Sequence, residues 1–229
     1  MTRLMLIRHG ETMWNRERRL QGRSDVPLSD LGRAQAVAGA RYMGESRSVG
    51  RVSLVYASPQ SRAAETARPI AEALRVPIEF DDRLMEVDIG RLSGLTWDEV
   101  LSTYVEFAEA HRRNPLSTKY LGGESLLDVQ ARAANMLGSV IKEHENAAVV
   151  LVAHGIVLKA LICLILGADV GTHRRIALGN ASLTIAEISS AEPVRGKLLR
   201  LNDRHYLERD SLWSPGSDDE VIPFQPRAY

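Results

Sequence analysis

Two histidines stand in matching settings at opposite ends of the chain. His9 lies between Arg8 and Gly10, directly after the apolar run 4–7; His154 lies between Ala153 and Gly155, directly after the apolar run 147–153. A neutral imidazole can attack phosphorus, and a covalent intermediate divides one hard step into two easier ones. Arg8, beside His9, disfavours the protonated ring and so favours the nucleophile. Planar guanidinium forks match phosphate oxygens and hold the charge that shifts as a phosphoryl group moves. Arg8 and Arg62 are the two candidates for that work, with a ring nitrogen of His154 as a further donor. A departing alkoxide needs a proton. Glu86, within Arg83-Leu84-Met85-Glu86-Val87-Asp88-Ile89-Gly90, is the candidate acid, and afterwards the base for an attacking water.

The elements around these residues read as alternating strands and helices. Wholly apolar, β-branched-rich runs such as 4–7, 52–57 and 147–153 suit strands of a mostly parallel sheet buried on both faces. Glycine after each histidine eases a sharp turn, and ligands of open α/β sheets bind beyond the carboxyl ends of strands. Ser29 is expected to cap a helix to about Gly44. Ser58-Pro59 is expected to cap and open another, carrying Arg62 in its first turn. Ala63, Ala67, Ile70, Ala71 and Leu74 then form its core-facing stripe. Further helices are expected over 97–111, from Ser125 to about His144, and from Ile156; further strands over 77–80, 183–188 and 197–201. The fold class is α/β: a three-layer sandwich with a mostly parallel central sheet, helices on both faces, and a small helical and loop cap over the strand C-terminal edge. One domain over 1–229 is expected, with a cap insertion at about 86–124 and an extended tail from about 208.

Composition narrows the partners. Lys plus Arg equals Asp plus Glu at 29 each, so net charge makes no case for nucleic acid or membrane. The single cysteine, Cys163, lies in an apolar stretch and reads as an inert buried thiol; a reduced, cytoplasmic setting fits. The start of the chain has too short an apolar core for a signal peptide, and the longest apolar run, 156–166, carries Lys159 and reads as a core helix. Asn180-Ala181-Ser182 matches a glycosylation sequon, which without a secretion signal reads as accidental. No histidine pair at helical spacing and no cysteine pair points to a metal.

Residues 7–15, Ile7-Arg8-His9-Gly10-Glu11-Thr12-Met13-Trp14-Asn15, closely resemble the signature of the histidine phosphatase superfamily, phosphoglycerate mutase-like branch. The likeness continues in order through Gln21-Gly22 with Asp25-x-Pro27-Leu28-Ser29, Ser58-Pro59-x-x-Arg62-Ala63-x-x-Thr66-Ala67, and Leu84-x-Glu86-x-x-x-Gly90. It ends with Gly122-Gly123-Glu124-Ser125, Val152-Ala153-His154-Gly155 and Asn180-Ala181-Ser182. The resemblance spans roughly 2–205. It implies a phosphohistidine mechanism with no metal and no cofactor, acting on small-molecule phosphate esters. By position it makes His9 the nucleophile, Glu86 the proton donor, and Arg8, Arg62 and His154 the phosphate pocket. Asn15, Gln21, Gly22 and Gly155 join the phosphate-binding positions. Relatives often form dimers, so a homodimer is an expectation.

The mutases of this family resemble Glu-x-x-Tyr-Gly after the acid, followed by a lysine. This chain has Ile89 at the tyrosine position and no lysine between Glu86 and Lys119. The long mutase insertion is also absent, although Arg112-Arg113 superficially resembles the mutase arginine pair. These departures favour water as the acceptor, hence a phosphomonoester hydrolase of the broad-specificity or phosphoserine type. The alternatives are a cofactor-dependent phosphoglycerate mutase and a non-catalytic phospho-ligand-binding module. Arg112-Arg113 could reach a substrate carboxylate, but a solvated helix end is favoured. Arg16, Arg18, Arg19 and Arg23 could steer anions or simply keep the surface soluble. Trp97 and Tyr104 favour core packing over pocket lining, and His111 and His144 are expected at the surface.

Overall fold

A computed structural model describes residues 1–46, 50–191 and 194–212. Its central sheet has the strand order β3-β2-β4-β1-β5-β6. The strands are β1 (Thr2–Arg8), β2 (Val52–Ala57), β3 (Ile78–Phe80), β4 (Ala148–Ala153), β5 (Leu183–Ala191) and β6 (Val194–Asp203). The first four run parallel; β5 pairs antiparallel with β1, and β6 antiparallel with β5. The apolar runs therefore occupy the middle of a mostly parallel sheet, as expected, and β4 is buried at every residue.

Alternation along the strands divides the core in two. Leu4, Leu6, Val149, Leu151 and Ala153 face one cluster, packed under α6 (Leu126–Glu143) and α7 (Gly155–Leu166). Met5, Ile7, Val150 and Val152 face the other, under α2 (Asp30–Glu45) and α3 (Ser61–Leu74). Successive side chains point to opposite faces of a strand, so a wholly apolar run demands a helical layer on each side. Cys163 sits within the first cluster, and burial pushes its thiol pKa up.

Two local expectations change. Ser29 caps α2 through Gly32 N as foreseen. Ser58 does not cap α3, because the helix starts at Ser61 and its first N–H is taken by Asp25 Oδ1 at 2.7 Å. The 97–111 helix is two, α4 (Trp97–Thr103) and α5 (Val105–Arg113), broken at Tyr104 with φ −118° and ψ 55°. Of the tail expected from about 208, the described part ends at Leu212, whose carbonyl accepts from Gln35 Nε2; residues 213–229 lie outside the described residues. Among the described residues no helix is long and apolar enough to cross a membrane.

Candidate active site

The register of β1 on β4 sets the site. Arg8 pairs with Ala153, so the next residues, His9 and His154, leave adjacent parallel strands side by side. Their ring centroids are 5.1 Å apart, close to the roughly 4.8 Å spacing of neighbouring strands. His9 is 3% exposed and His154 0%. His9 N donates to Ala153 O at 3.0 Å, which ties the two turns together.

Hydrogen-bond partners fix both tautomers. His9 Nδ1 lies 2.7 Å from Gly10 O, which can only accept, so Nδ1 carries the proton and Nε2 keeps its lone pair. Burial holds the His9 pKa well below the ordinary histidine value; Arg62 adds to this, then Arg8. The neutral ring anticipated from Arg8 is thus chiefly a result of burial, with the more distant arginine in sequence contributing more than the adjacent one. His154 is likewise held neutral, by burial first and then by Arg62. Its Nδ1 accepts from Arg62 Nε at 3.1 Å, so its Nε2 donates to Ser58 Oγ at 2.8 Å. Both ring nitrogens of His154 are therefore engaged inside the protein. Ser58, expected as a helix cap, instead orients this ring.

Arg62 is fully buried at the start of α3. Its Nη2 donates to Gly22 O and its Nη1 to Ser24 O, each at 2.8 Å. Gly22 thus serves through its carbonyl, at φ +49°, where an added Cβ would lie 2.4 Å from Ile89. Arg8 is 3% exposed and donates through Nη1 to Leu178 O at 2.6 Å. Gln21 is buried, and its Oε1 has no hydrogen-bond partner among the described residues.

Glu86 reaches the same place from another direction. α7 begins directly after His154, which provides no side-chain cap. Glu86 Oε2 takes that part, accepting from Ile156 N at 3.1 Å, while Oε1 accepts from Val87 N at 2.9 Å. A carboxylate at a helix N-terminus satisfies orphan N–H groups and the helix dipole. Gly155 opens α7 between His154 and this carboxylate. Gln60, 4% exposed, links the pieces: its Oε1 accepts from Glu86 N at 2.8 Å and its Nε2 donates to Gly22 O at 3.0 Å.

Asn15 closes the capping box of α1 (Met13–Arg16), its Oδ1 accepting from Thr12 N and Thr12 Oγ1. The same oxygen accepts from Asn180 Nδ2 at 3.2 Å. Asn180 Nδ2 also meets His9 O at 3.1 Å and Gly10 O at 3.3 Å. Asn180 is 2% exposed, so the sequon is buried in the folded protein, and its amide braces the turn at His9. The residue type and the motif were visible in sequence; the bracing was not.

Other candidates lie elsewhere. Arg112 and Arg113 are exposed in the last turn of α5, where Arg113 pairs with Glu109, as a solvated helix end requires. Arg16, Arg19 and Arg23 are offset by Glu11, Glu17, Glu99 and Glu124, which weakens a steering field. His111 is not at the surface: it is 7% exposed, stacked among Trp97, Phe107 and Tyr120, and burial lowers its pKa to about 4. His144 is half-buried against Tyr56. Trp97 and Tyr104 pack against the core. Among the described residues, no group of three or more His, Cys, Asp or Glu side chains is placed to hold a metal ion.

The family model described as histidine phosphatase superfamily (branch 1) matches residues 4–204. The chain belongs to this superfamily. It is 34% identical over 202 residues to phosphoserine phosphatase 1 of Hydrogenobacter thermophilus, covering 88% of this chain and 92% of that one. It is 37% identical over 189 residues to a "probable phosphoglycerate mutase" of Salmonella paratyphi A, covering 80% and 84%. Among solved structures, a mycobacterial glucosyl-3-phosphoglycerate phosphatase in complex with VO3 superposes with a TM-score of 0.78 at 32% identity, covering 88% and 99%. For a histidine phosphatase, the motif order now has a physical reason. The motifs are the turns that leave β1, β2 and β4 at one sheet edge, together with the loops that latch onto them.

Proposed function

We propose that this histidine phosphatase hydrolyses small phosphomonoesters through a phosphohistidine on His9. The observation that carries this is the pairing of two buried, neutral imidazoles 5.1 Å apart, with Arg62 bonded to one of them and Glu86 anchored at the helix that follows it. His9 Nε2, unprotonated because Nδ1 is bonded to Gly10 O, attacks phosphorus. Arg8 and Arg62 stabilise the equatorial oxygens, and Glu86 protonates the departing alcohol. Water then attacks the phosphohistidine with Glu86 as base, releasing phosphate and restoring His9. His154 acts by holding Arg62 in register.

Two of the relatives are named as phosphatases of phosphoserine and of glucosyl-3-phosphoglycerate, which supports small metabolite esters as substrates. Hydrolysis is favoured over mutase activity because Ile89, at the mutase tyrosine position, is 4% exposed and packs beneath Gly22. We read 86–124 as a cap that selects the alcohol portion within a single catalytic domain, in a cytoplasmic setting. The test is His9→Ala: circular dichroism and melting should match wild type while phosphate release from p-nitrophenyl phosphate disappears. Release at an undiminished rate would remove His9 from the mechanism.

A further inference from the structure

The loop that carries Glu86 is fastened to α6 by one side chain. Arg132 Nη1 donates to Arg83 O at 2.8 Å and to Met85 O at 2.6 Å, the second being the carbonyl immediately before Glu86. The rest of that guanidinium forks onto Glu124, Nε to Oε1 at 2.9 Å and Nη2 to Oε2 at 3.1 Å. Glu124 in turn holds the loop just past Glu86: its Oε2 accepts from Asp88 N at 2.9 Å, and its own N donates to Asp88 O at 2.8 Å. Backbone fit reinforces the arrangement. A Cβ on Gly123 would lie 2.1 Å from Asp88 O, and one on Gly90 would lie 2.1 Å from Leu121 O. The side chains of Arg132 and Glu124 are 14% and 18% exposed, so the pair is largely shielded from water and salt.

Residues 83–88 are thereby gripped on both sides of Glu86, and Gln60 fixes its N–H from below. We propose that the Arg132–Glu124 fork is a positioning device for the general acid, setting the distance of the Glu86 carboxyl from the leaving oxygen. A planar guanidinium is needed because four acceptors in two directions must be met at once, which an ammonium cannot do. Neither residue belongs to the transferring machinery; each acts through Glu86. The inference rests on the phosphatase reading, in which Glu86 protonates the alcohol.

Leaving-group chemistry separates positioning from general structure. An alkoxide needs the acid; p-nitrophenolate, a good leaving group, needs it little. The value of kcat/KM reports the steps through formation of the phosphohistidine. The experiment compares wild type, Arg132→Lys, Glu124→Gln and Glu86→Gln on an alkyl phosphate and on p-nitrophenyl phosphate. Glu86→Gln supplies the reference pattern, a loss at least tenfold larger on the alkyl ester. Arg132→Lys and Glu124→Gln should repeat that pattern, with alkyl kcat/KM reduced about 10- to 100-fold, part of the roughly 10²–10⁴ that acid–base catalysis contributes. The aryl value should change less than about threefold, as a remote positioning effect predicts. A selective loss in Glu86→Gln with equal losses on both esters in either fork variant, or with no loss in either, overturns the positioning role and leaves the phosphatase reading standing. Equal losses on both esters in Glu86→Gln overturn the acid role itself, and the fork proposal with it. Should Arg132→Lys fail to fold, Glu124→Gln decides alone.

Discussion

Asn180 gives the sharpest test of how His9 is held. Its amide nitrogen faces three acceptors, His9 O, Gly10 O and Asn15 Oδ1, at 3.1, 3.3 and 3.2 Å. Only a donor satisfies that setting, which also fixes the amide's orientation. Asn180→Ala removes two N–H protons, worth about 0.5–1.5 kcal/mol each, so roughly 1–3 kcal/mol in all. None of the acceptors is orphaned. His9 O keeps Ala181 N at 3.0 Å, Gly10 O keeps His9 Nδ1 at 2.7 Å, and Asn15 Oδ1 keeps Thr12 N at 3.0 Å. Asn180→Asp is nearly isosteric, yet it turns a buried acceptor toward three others and should cost more, about 3–5 kcal/mol when ionised. The order of stability is therefore wild type, then Asn180→Ala, then Asn180→Asp, by urea unfolding at pH 8. Loosening the His9 turn should also lower kcat/KM of Asn180→Ala about 10- to 100-fold. Asn180→Asp as stable as wild type, or less damaged than Asn180→Ala, would refute the donor argument.

Two further outcomes follow from the same geometry. His9, His154 and His111 are all held neutral by burial, His111 down to about 4. Unfolded histidines titrate near ~6.5, so below that pH the unfolded chain binds more protons and stability falls as pH falls. The urea midpoint should be level above about pH 7.5 and drop between pH 7 and 5; a midpoint that rises over that interval contradicts the assignment. Gly123→Ala should destabilise by about 1–3 kcal/mol, because the backbone oxygen of Asp88 cannot yield. Gly138→Ala, in α6 with nothing within 4 Å, should stabilise by roughly 0.5–1 kcal/mol; similar effects at both glycines would discredit the close packing.

Much of the sheet was legible because a strand buried on both faces leaves an unmistakable apolar run, and each histidine follows one directly. The register that puts His9 beside His154 was implied by the two equivalent strand ends and needed only their adjacency. What stayed hidden was which atom serves which partner. Ser58 before a proline reads as a cap, but the oxygen is claimed by His154 Nε2 from the end of the adjacent strand β4, and Asp25 caps the helix instead. Gly22 reads as a turn residue, yet its carbonyl is the useful group. His111 reads as a surface residue at the end of a helix over 97–111. The break at Tyr104 turns that helix so that its ring stacks with Trp97 and Phe107. Arg132 carried no signal at all, because two of its partners are backbone carbonyls distant in sequence and the third, Glu124, lies eight residues away in a loop.

A covalent phosphoryl group at His9 is the central requirement of the proposed mechanism. Wild-type protein mixed with p-nitrophenyl phosphate, quenched within milliseconds and digested, should yield a phosphorylated peptide containing His9, stable in base and lost in acid. Single-turnover formation of that species should match the burst of p-nitrophenolate. A burst with no modified histidine, or a phosphoryl group found on His154 instead, would contradict the mechanism.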